Sequence, residues 1–390
     1  MKILHTSDWH LGHTLYNYDR TREQKDMLKQ MVSIVSDEQP DVFLLCGDVY
    51  HTSQPSAAVQ AMLTEGLVSL HKAHPQMTIV VTAGNHDSGT KHEIFRTPWR
   101  ALQVYTVGQL RKASLDEHII EVPGKGYVIA VPYVNERNMP EGLFQQLLDK
   151  VGERNTGGLP VVMMAHTTVR GCDFTGHDHA SACTVGGIDS LELGQMGQGY
   201  DYLALGHIHH GQFVHSGRHN VRYSGTPLPV SFDETFSHSV SIVDIGRHGD
   251  KPKVEEIEIS NRCPLVTLPA NGWASWEKVK RLLATFPDRQ SAYIRLNVEI
   301  EDFLPVEAHA EAINLTEGKR CRFCYINAKR KTDCHGESTE RVLTVQEFQE
   351  EKPIEIARRY AVDEDIVFDE DMEAMFNEVM NLVDEDLRNE

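Results

Sequence analysis

Five times along this chain an apolar run of strand length ends abruptly in Asp, Asn or His. Val42-Phe43-Leu44-Leu45-Cys46 gives way to Gly47-Asp48, and Lys2-Ile3-Leu4-His5-Thr6-Ser7 leads to Asp8-Trp9-His10. Thr78-Ile79-Val80-Val81-Thr82-Ala83 runs into Gly84-Asn85-His86-Asp87. Pro160-Val161-Val162-Met163-Met164-Ala165 stops at His166, and Tyr202-Leu203-Ala204-Leu205 at Gly206-His207-Ile208-His209. Evenly apolar runs of this length suit strands buried on both faces. Ligands of α/β sheets gather outside the carboxyl ends of such strands. A single polar ending is ordinarily a turn residue. Five of them, all in side chains that bind divalent cations, predict a metal centre.

Between the runs the period changes. Met27, Leu28, Met31, Val32 and Val35 recur at helical spacing, and Pro40 stops that helix. Pro55 suits the first turn of a second helix, with Val59, Met62, Leu63, Leu67 and Leu70 on its apolar face. Strand–helix–strand alternation gives an α/β class. Short β runs at 118–122 and 127–131 lack a long crossover, so a mixed sheet is expected, and a helix is expected near 141–154. Residues 167–187 are polar and glycine-rich and read as a long loop. Short strands near 212–214, 240–245 and 254–259 are expected to complete a second sheet. Two sheets with helices outside both make a four-layer αββα sandwich over 1–262. The style changes at Arg262-Cys263-Pro264: 263–340 reads as a small α+β capping domain, and 341–390 as a charged, helical C-terminal tail.

The 390 residues carry a net charge of −19, an awkward balance for a nucleic-acid binder. Much of it sits in 346–390, where 16 acidic residues face 4 basic ones. Elsewhere metal-binding carboxylates would be offset by their cations. No apolar stretch approaches the roughly 20 residues of a membrane-spanning helix. The chain opens directly on a strand, without a secretory signal. Seven cysteines without a framework fit a reducing compartment, so a cytoplasmic location with no membrane association is expected.

A dinuclear site needs one carboxylate bridging two cations about 3.5–4 Å apart. Asp48 is the natural bridge. Asp8, His10 and one of the distal histidines complete one ion; Asn85, His166 and the other distal histidine complete the second. Mixed Asp, Asn and His ligation suits Mn²⁺, Fe²⁺ or Zn²⁺ better than Mg²⁺ or Ca²⁺. Such a pair activates water for in-line attack on a phosphate ester.

Asp8-x-His10, Gly47-Asp48, Gly84-Asn85-His86-Asp87, His166 and Gly206-His207-x-His209, in this order, resemble the calcineurin-like metallophosphoesterase superfamily. Thr6-Ser7-Asp8-Trp9-His10-Leu11-Gly12, Gly47-Asp48-Val49-Tyr50-His51 and the run from Tyr223 to Glu234 are similar to its DNA-processing branch, whose members act with an SbcC-type, SMC-like ATPase. The resemblance implies that Asp8, His10, Asp48 and His209 hold one ion and Asp48, Asn85, His166 and His207 the other, usually manganese. It implies that His86 is catalytic and that His51, where phosphatases carry Asp, steadies the phosphate or the scissile strand. It further implies 3′-to-5′ exonuclease action on double-stranded DNA ends, endonuclease action on single strands and hairpins, a homodimer, and a heterotetramer with the ATPase. No P-loop of the Gly-x4-Gly-Lys-Ser/Thr kind occurs here, so any ATP dependence belongs to that partner.

Two other readings compete. A phosphodiesterase of small cyclic nucleotides would not need a capping domain and tail, and a scaffold that lost its metals would show replaced ligand positions. Lys319, Arg320, Arg322, Lys329, Arg330 and Lys331 concentrate positive charge that is either a solvated face or a DNA-phosphate contact. Met372, Met375, Phe376, Val379, Val383 and Leu387 form an apolar stripe on the acidic tail, which the resemblance implies docks on the ATPase's coiled coil. His177-Asp178-His179 reads as loop polarity. Cys321 and Cys324 read as ordinary strand residues, since an offset of three points them to opposite faces.

Overall fold

The computed structural model describes residues 1–176, 190–214, 218–301, 303–331 and 372. In chain order the first elements are β1 (Lys2–Thr6), a hairpin of β2 (Thr14–Leu15) and β3 (Tyr18–Asp19), α1 (Thr21–Glu38), β4 (Val42–Cys46), α2 (Ala57–Ala73) and β5 (Thr78–Thr82). Short helices α3 (Gly89–Glu93) and α4 (Arg96–Arg100) lead to β6 (Val104–Val107), β7 (Ile119–Val122), β8 (Gly126–Ala130), α5 (Leu143–Arg154) and β9 (Val161–His166). Then come β10 (Thr168–Val169), β11 (Ser190–Leu191), β12 (Tyr202–Gly206), β13 (Gln212–Phe213), β14 (Val221–Tyr223), β15 (Ser239–Asp244) and β16 (Lys253–Glu258). The last group is β17 (Leu265–Leu268), α6 (Trp276–Ala284), β18 (Tyr293–Ile300), α7 (Ala308–Thr316) and β19 (Arg322–Arg330).

Two six-stranded sheets, ordered β16-β15-β1-β4-β5-β6 and β13-β14-β12-β9-β8-β7, stack face to face. Alternation along each strand decides which layer a side chain joins. Val42, Leu44 and Cys46 point between the sheets, against Val128, Ala130, Val162, Met164 and Ala204. Phe43 and Leu45 point outward onto Met27, Met31 and Val35 of α1 and Met62, Leu67 and Leu70 of α2. On the far side, Met163, Ala165, Leu203 and Leu205 meet Leu143, Phe144, Leu147 and Val151 of α5. The result is the expected four-layer αββα sandwich. It also explains why these strands are apolar throughout rather than alternating.

The caps follow local chemistry. Gln39 ends α1 in the left-handed region (φ 48°), just before Pro40. Ser56 caps α2, accepting from the Val59 amide at 3.4 Å, so Pro55 lies ahead of the cap and not in the first turn as expected.

One expectation needs a larger correction. The strands at 240–245 and 254–259 do not extend the second sheet: β15 pairs antiparallel with β1, and β16 with β15, in the first. Strand β15 is apolar on both faces, with Val243 between the sheets and Val240 and Ile242 under the helices, so it needs a doubly covered position. The open flank of β1 provides one. Charged β16 (Lys253, Glu255, Glu256, Glu258) then forms the sheet edge, as edges require.

Residues from Leu265 onward build a three-stranded sheet, β17-β18-β19. The anticipated α+β layer is more specifically a βαβαβ unit, with all three strands parallel. Val279, Leu283, Ala308 and Ala312 of α6 and α7 cover one face, over Ile294, Leu296 and Phe323. On the other face Tyr293, with Cys324 and Tyr325, meets Leu15 of the β2–β3 hairpin and Phe232. Cys321 joins the first of these clusters and Cys324 the second, so the two thiols do not share a site. Residues 177–179 lie outside the described residues, as does the tail with its apolar stripe, Met372 excepted. Among the described residues, no helix is long and apolar enough to cross a membrane.

Candidate metal centre

Strands β1, β4 and β5 run parallel in one sheet, and β9 and β12 in the other, so their carboxyl ends meet at one edge of the sandwich. Closeness there depends on glycine. A Cβ on Gly47 (φ 82°) would overlap the His166 ring, and one on Gly206 would strike the Cys46 carbonyl. Beyond the strands the chain turns sharply. Asp8 (φ 53°), His10 (φ 42°), Asp48 (φ 46°) and His207 (φ 99°) all take left-handed backbone conformations. Each costs on the order of 1 kcal/mol in a non-glycine residue and clusters where function requires it. Cross-strand bonds hold them: the Asp8 amide donates to the Gly47 carbonyl and the His10 amide to the Asp48 carbonyl, both at 3.0 Å.

Seven side chains converge as a result. Asp48 is 2 % exposed; its Oδ1 accepts the His86 amide at 2.9 Å, which turns Oδ2 toward three imidazoles. That oxygen lies 3.5 Å from His166 Nε2, 3.8 Å from His10 Nε2 and 4.0 Å from His86 Nε2. On one side of it Asp8, His10 and His209 bring ligand atoms within 4.8 Å of one another, and on the other Asp48, His166 and His207 do the same. Asn85 joins the second group, its Oδ1 3.0 Å from His166 Nε2 and 3.1 Å from His207 Nδ1. The His207 amide donates to Asp8 at 3.1 Å, tying the two groups together.

The outer hydrogen bonds fix which ring nitrogens face inward. His166 Nδ1 is 2.8 Å from the Cys46 carbonyl, an acceptor only, so Nδ1 carries the proton and the Nε2 lone pair faces Asn85 and Asp48. His209 Nδ1 donates to Glu234 at 2.8 Å, and its Nε2 faces His10 Nε2 at 3.2 Å. His86 Nδ1 donates to the His51 carbonyl at 3.0 Å, leaving Nε2 toward the cleft. With His166 neutral, acceptors therefore face acceptors in the second group, where its Nε2 lone pair meets the Asn85 and Asp48 oxygens. Positive charge between them reconciles the arrangement, and the donor set fits two divalent cations sharing Asp48.

Titration follows the same logic. Burial works against a charged His166, but Asp48 and Asp8 outweigh it and raise the group to about 9. Burial likewise opposes a charged His209, while Glu234, then Asp8 and Asp48, raise it to about 9. Burial and the surrounding imidazoles push His10 well below its usual range, into the neutral, ligating form. Burial raises Asp8. Protons and metal ions compete for these lone pairs.

His51 stands beside this cluster, its ring stacked on His86 at 5.9 Å and edge-on to His13 at 4.6 Å. Burial first, and then His86, lowers its pKa. His13 Nδ1 accepts from Arg20, a buried residue that also donates to Glu23 and the Pro229 carbonyl.

Sequence reasoning missed two supporting carboxylates. Asp87 accepts the amides of Gly84, Val49 and Tyr50 at 2.9–3.0 Å and clamps the β4 and β5 loops together. Glu234, 7 % exposed, steers His209 and also accepts the Val230 amide. No local pattern marks a lone glutamate, 25 residues beyond its histidine, as that partner.

The six basic residues are not brought together. Lys319 donates to the carbonyls of Leu283, Ala284 and Phe286 at the end of α6. Arg322 donates to the Tyr293 hydroxyl at 2.6 Å and lies over the Tyr18 and Tyr293 rings. Arg320 lines a groove with Arg22, Arg262 and Asp26. Lys329, Arg330 and Lys331 are exposed at the other end of β19, roughly 25 Å away at strand rise.

The profile of the calcineurin-like phosphoesterase family matches residues 1–211. Three curated relatives each bear the name of the SbcD component of nuclease SbcCD. The one from Rhodobacter capsulatus is 32% identical, over 75% of this chain and 78% of its own. That from Bacillus subtilis is 31% identical (79% and 81% covered), and that from Escherichia coli 28% (69% and 70%).

Proposed function

The chain belongs to the calcineurin-like phosphoesterase family and, within it, to the SbcD nucleases, and from that premise we propose that it is a metal-dependent nuclease cleaving DNA phosphodiesters at ends and hairpins. The observation that carries the reading is the single Asp48 oxygen set among three imidazole nitrogens at 3.5–4.0 Å. Asp8, His10, Asp48 and His209 hold one ion; Asp48, Asn85, His166 and His207 hold the other. Mixed nitrogen and oxygen donors favour Mn²⁺, with Fe²⁺ or Zn²⁺ as alternatives. When bound, the pair lowers the pKa of a water and neutralises phosphate charge. The chain's own residues do the rest. His86 keeps one proton on Nδ1, in its bond to the His51 carbonyl, and presents Nε2 to deliver a second to the leaving oxygen. His51, half-buried beside it, steadies the phosphate.

The wider assembly follows the family. Residues 1–262 form the catalytic domain, 263–340 a capping domain and 341–390 a tail that docks on an SbcC-type ATPase through Met372, Met375, Phe376, Val379, Val383 and Leu387. The expected unit is a homodimer within a heterotetramer with that ATPase. Duplex ends are digested 3′ to 5′, and single strands and hairpins are cut internally. Of the basic residues, Lys329, Arg330 and Lys331 remain best suited to phosphate contact, because Lys319 and Arg322 are engaged within the fold.

The test is incubation with Mn²⁺ and a labelled DNA hairpin, beside a small cyclic nucleotide. Cleavage of the hairpin supports the reading. An intact hairpin with a hydrolysed cyclic nucleotide favours a small-molecule phosphodiesterase, and hydrolysis of neither favours a scaffold.

A further inference from the structure

Strand β18 alternates: Ile294, Leu296 and Val298 face α6 and α7, while Tyr293, Arg295 and Asn297 take the opposite face. Arginine is almost never buried unless it is paired, yet Arg295 is 9 % exposed. Its partners come from two layers. Within the sheet it stands level with Thr267 of β17 and Tyr325 of β19. Its Nε donates to the Thr267 hydroxyl at 3.1 Å and its Nη1 to the Tyr325 hydroxyl at 3.4 Å. The tip of the side chain reaches the segment between β14 and β15. There Nη2 donates to the Phe232 carbonyl at 3.2 Å, Nη1 meets the Asp233 carboxylate at 2.5 Å, and the guanidinium lies over the Phe232 ring at 5.3 Å. A planar fork held from behind and bonded twice in front fixes direction as well as distance.

Phe232 and Asp233 are the two residues before Glu234, whose side chain is wholly buried. A short turn joins them: the Glu234 amide donates to the Ser231 carbonyl at 3.3 Å, and the Asp233 amide to the Ser231 hydroxyl at 3.2 Å. Fixing 232–233 therefore fixes where the Glu234 side chain starts, and its Oε1 accepts from His209 Nδ1 at 2.8 Å. The same strand reaches this loop a second way. The Tyr293 hydroxyl donates to Glu23, which also accepts from Arg20, and Arg20 donates to the Pro229 carbonyl at 2.5 Å. His166, by contrast, is oriented by the Cys46 carbonyl inside the sandwich. An apolar side chain could cover the junction at Arg295 without desolvating a charge. The arginine adds fixed geometry instead.

We propose that Arg295 is a positioning residue for the metal centre. By holding Phe232 and Asp233 it aims the Glu234 carboxylate, and through it the His209 ring. The βαβαβ layer thereby sets the affinity of the ion beside Asp8, His10 and His209, and leaves the other ion to the sandwich. This rests on the dinuclear reading and adds a residue, well beyond the matched stretch 1–211, that tunes one ion alone.

The experiment titrates the full chain, stripped of metal, with Mn²⁺ by calorimetry, and records the melting midpoint of each metal-free variant beside it. The wild-type protein is expected to take two ions. Arg295→Met keeps the buried stem and removes the fork, so the affinity of one ion should fall about tenfold, the lower end of an outer-shell loss, while the other holds. Asp233→Ala alters only an exposed carboxylate and serves if Arg295→Met does not fold; it should weaken the same ion roughly 2- to 5-fold. Added to Glu234→Ala, Arg295→Met should cost nothing further, because both act along one path. Lys280→Met breaks the pair with Glu311 between α6 and α7 and should leave both affinities unchanged. The proposal is overturned by unchanged affinities in Arg295→Met and Asp233→Ala, or by equal losses at both ions. Full additivity with Glu234→Ala overturns it too, as does a Lys280→Met protein that behaves like Arg295→Met. A wild-type protein that takes fewer than two ions removes the dinuclear reading, and the proposal with it, before any substitution is compared.

Discussion

His209 and His166 stand in opposite halves of the proposed metal centre, yet one is steered by a side chain and the other by the main chain. Glu234 holds His209 at 2.8 Å; the Cys46 carbonyl holds His166 at the same distance. Cys46 ends β4 within the sheet, whereas Glu234 lies in the segment between β14 and β15. Its neighbour Asp233 pairs with Arg295 of β18 at 2.5 Å. One half is therefore built into the sandwich itself. The other hangs on a loop gripped by the βαβαβ layer.

Substitutions can break this comparison, beginning with the residue both halves share. Asp48→Ala should release both ions together and lower hydrolysis by about 10⁴-fold, with metal content measured by mass spectrometry beside the rate. Loss of one ion alone would mean that Asp48 is not shared. His86→Ala leaves both ligand sets intact: metal content should stay at wild-type level while kcat falls roughly 10²- to 10⁴-fold. Full activity in that variant would remove His86 from proton delivery.

Glu234→Ala sharpens the contrast between halves. Removing an outer-shell partner typically weakens metal affinity roughly 10- to 100-fold, and calorimetric titration should find that loss at one ion only. Cys46→Ala, by contrast, should leave both affinities unchanged, because His166 is held by the carbonyl and not by the thiol. Equal losses in the two variants would abolish the distinction.

Proton competition should be alike in the two halves, because His166 and His209 are both raised to about 9. In the metal-free protein their charged forms stabilise the fold fully below the unfolded value of about 6.5, and that stabilisation fades as the pH rises through about 9. Metal binding displaces the proton, so affinity at each ion should climb up to about tenfold per pH unit until about pH 9 and then level off. Titrations spanning the window from about pH 6.5 to beyond about pH 9 measure the slope, and a flat profile contradicts the proton-for-metal exchange.

The convergence of these side chains was legible because each follows an apolar strand, and strand direction alone carries Asp8, Asp48, Asn85, His166 and His207 to one edge. The sandwich was legible for the same reason, since doubly buried strands require cover on both faces. What the pattern could not specify were choices between equally apolar neighbours: β15 satisfies either sheet by composition, and only the open flank of β1 decides. Outer-shell partners were hidden differently. The Cys46 carbonyl has no side-chain signature, and Glu234 gains its meaning only from the loop path that returns it to His209.

Anomalous diffraction from a manganese-soaked crystal bears most directly on the shared carboxylate. Two peaks about 3.5–4 Å apart are expected, both in contact with Asp48, one beside Asp8, His10 and His209 and the other beside Asn85, His166 and His207. A single peak, or two that do not share Asp48, would contradict the account.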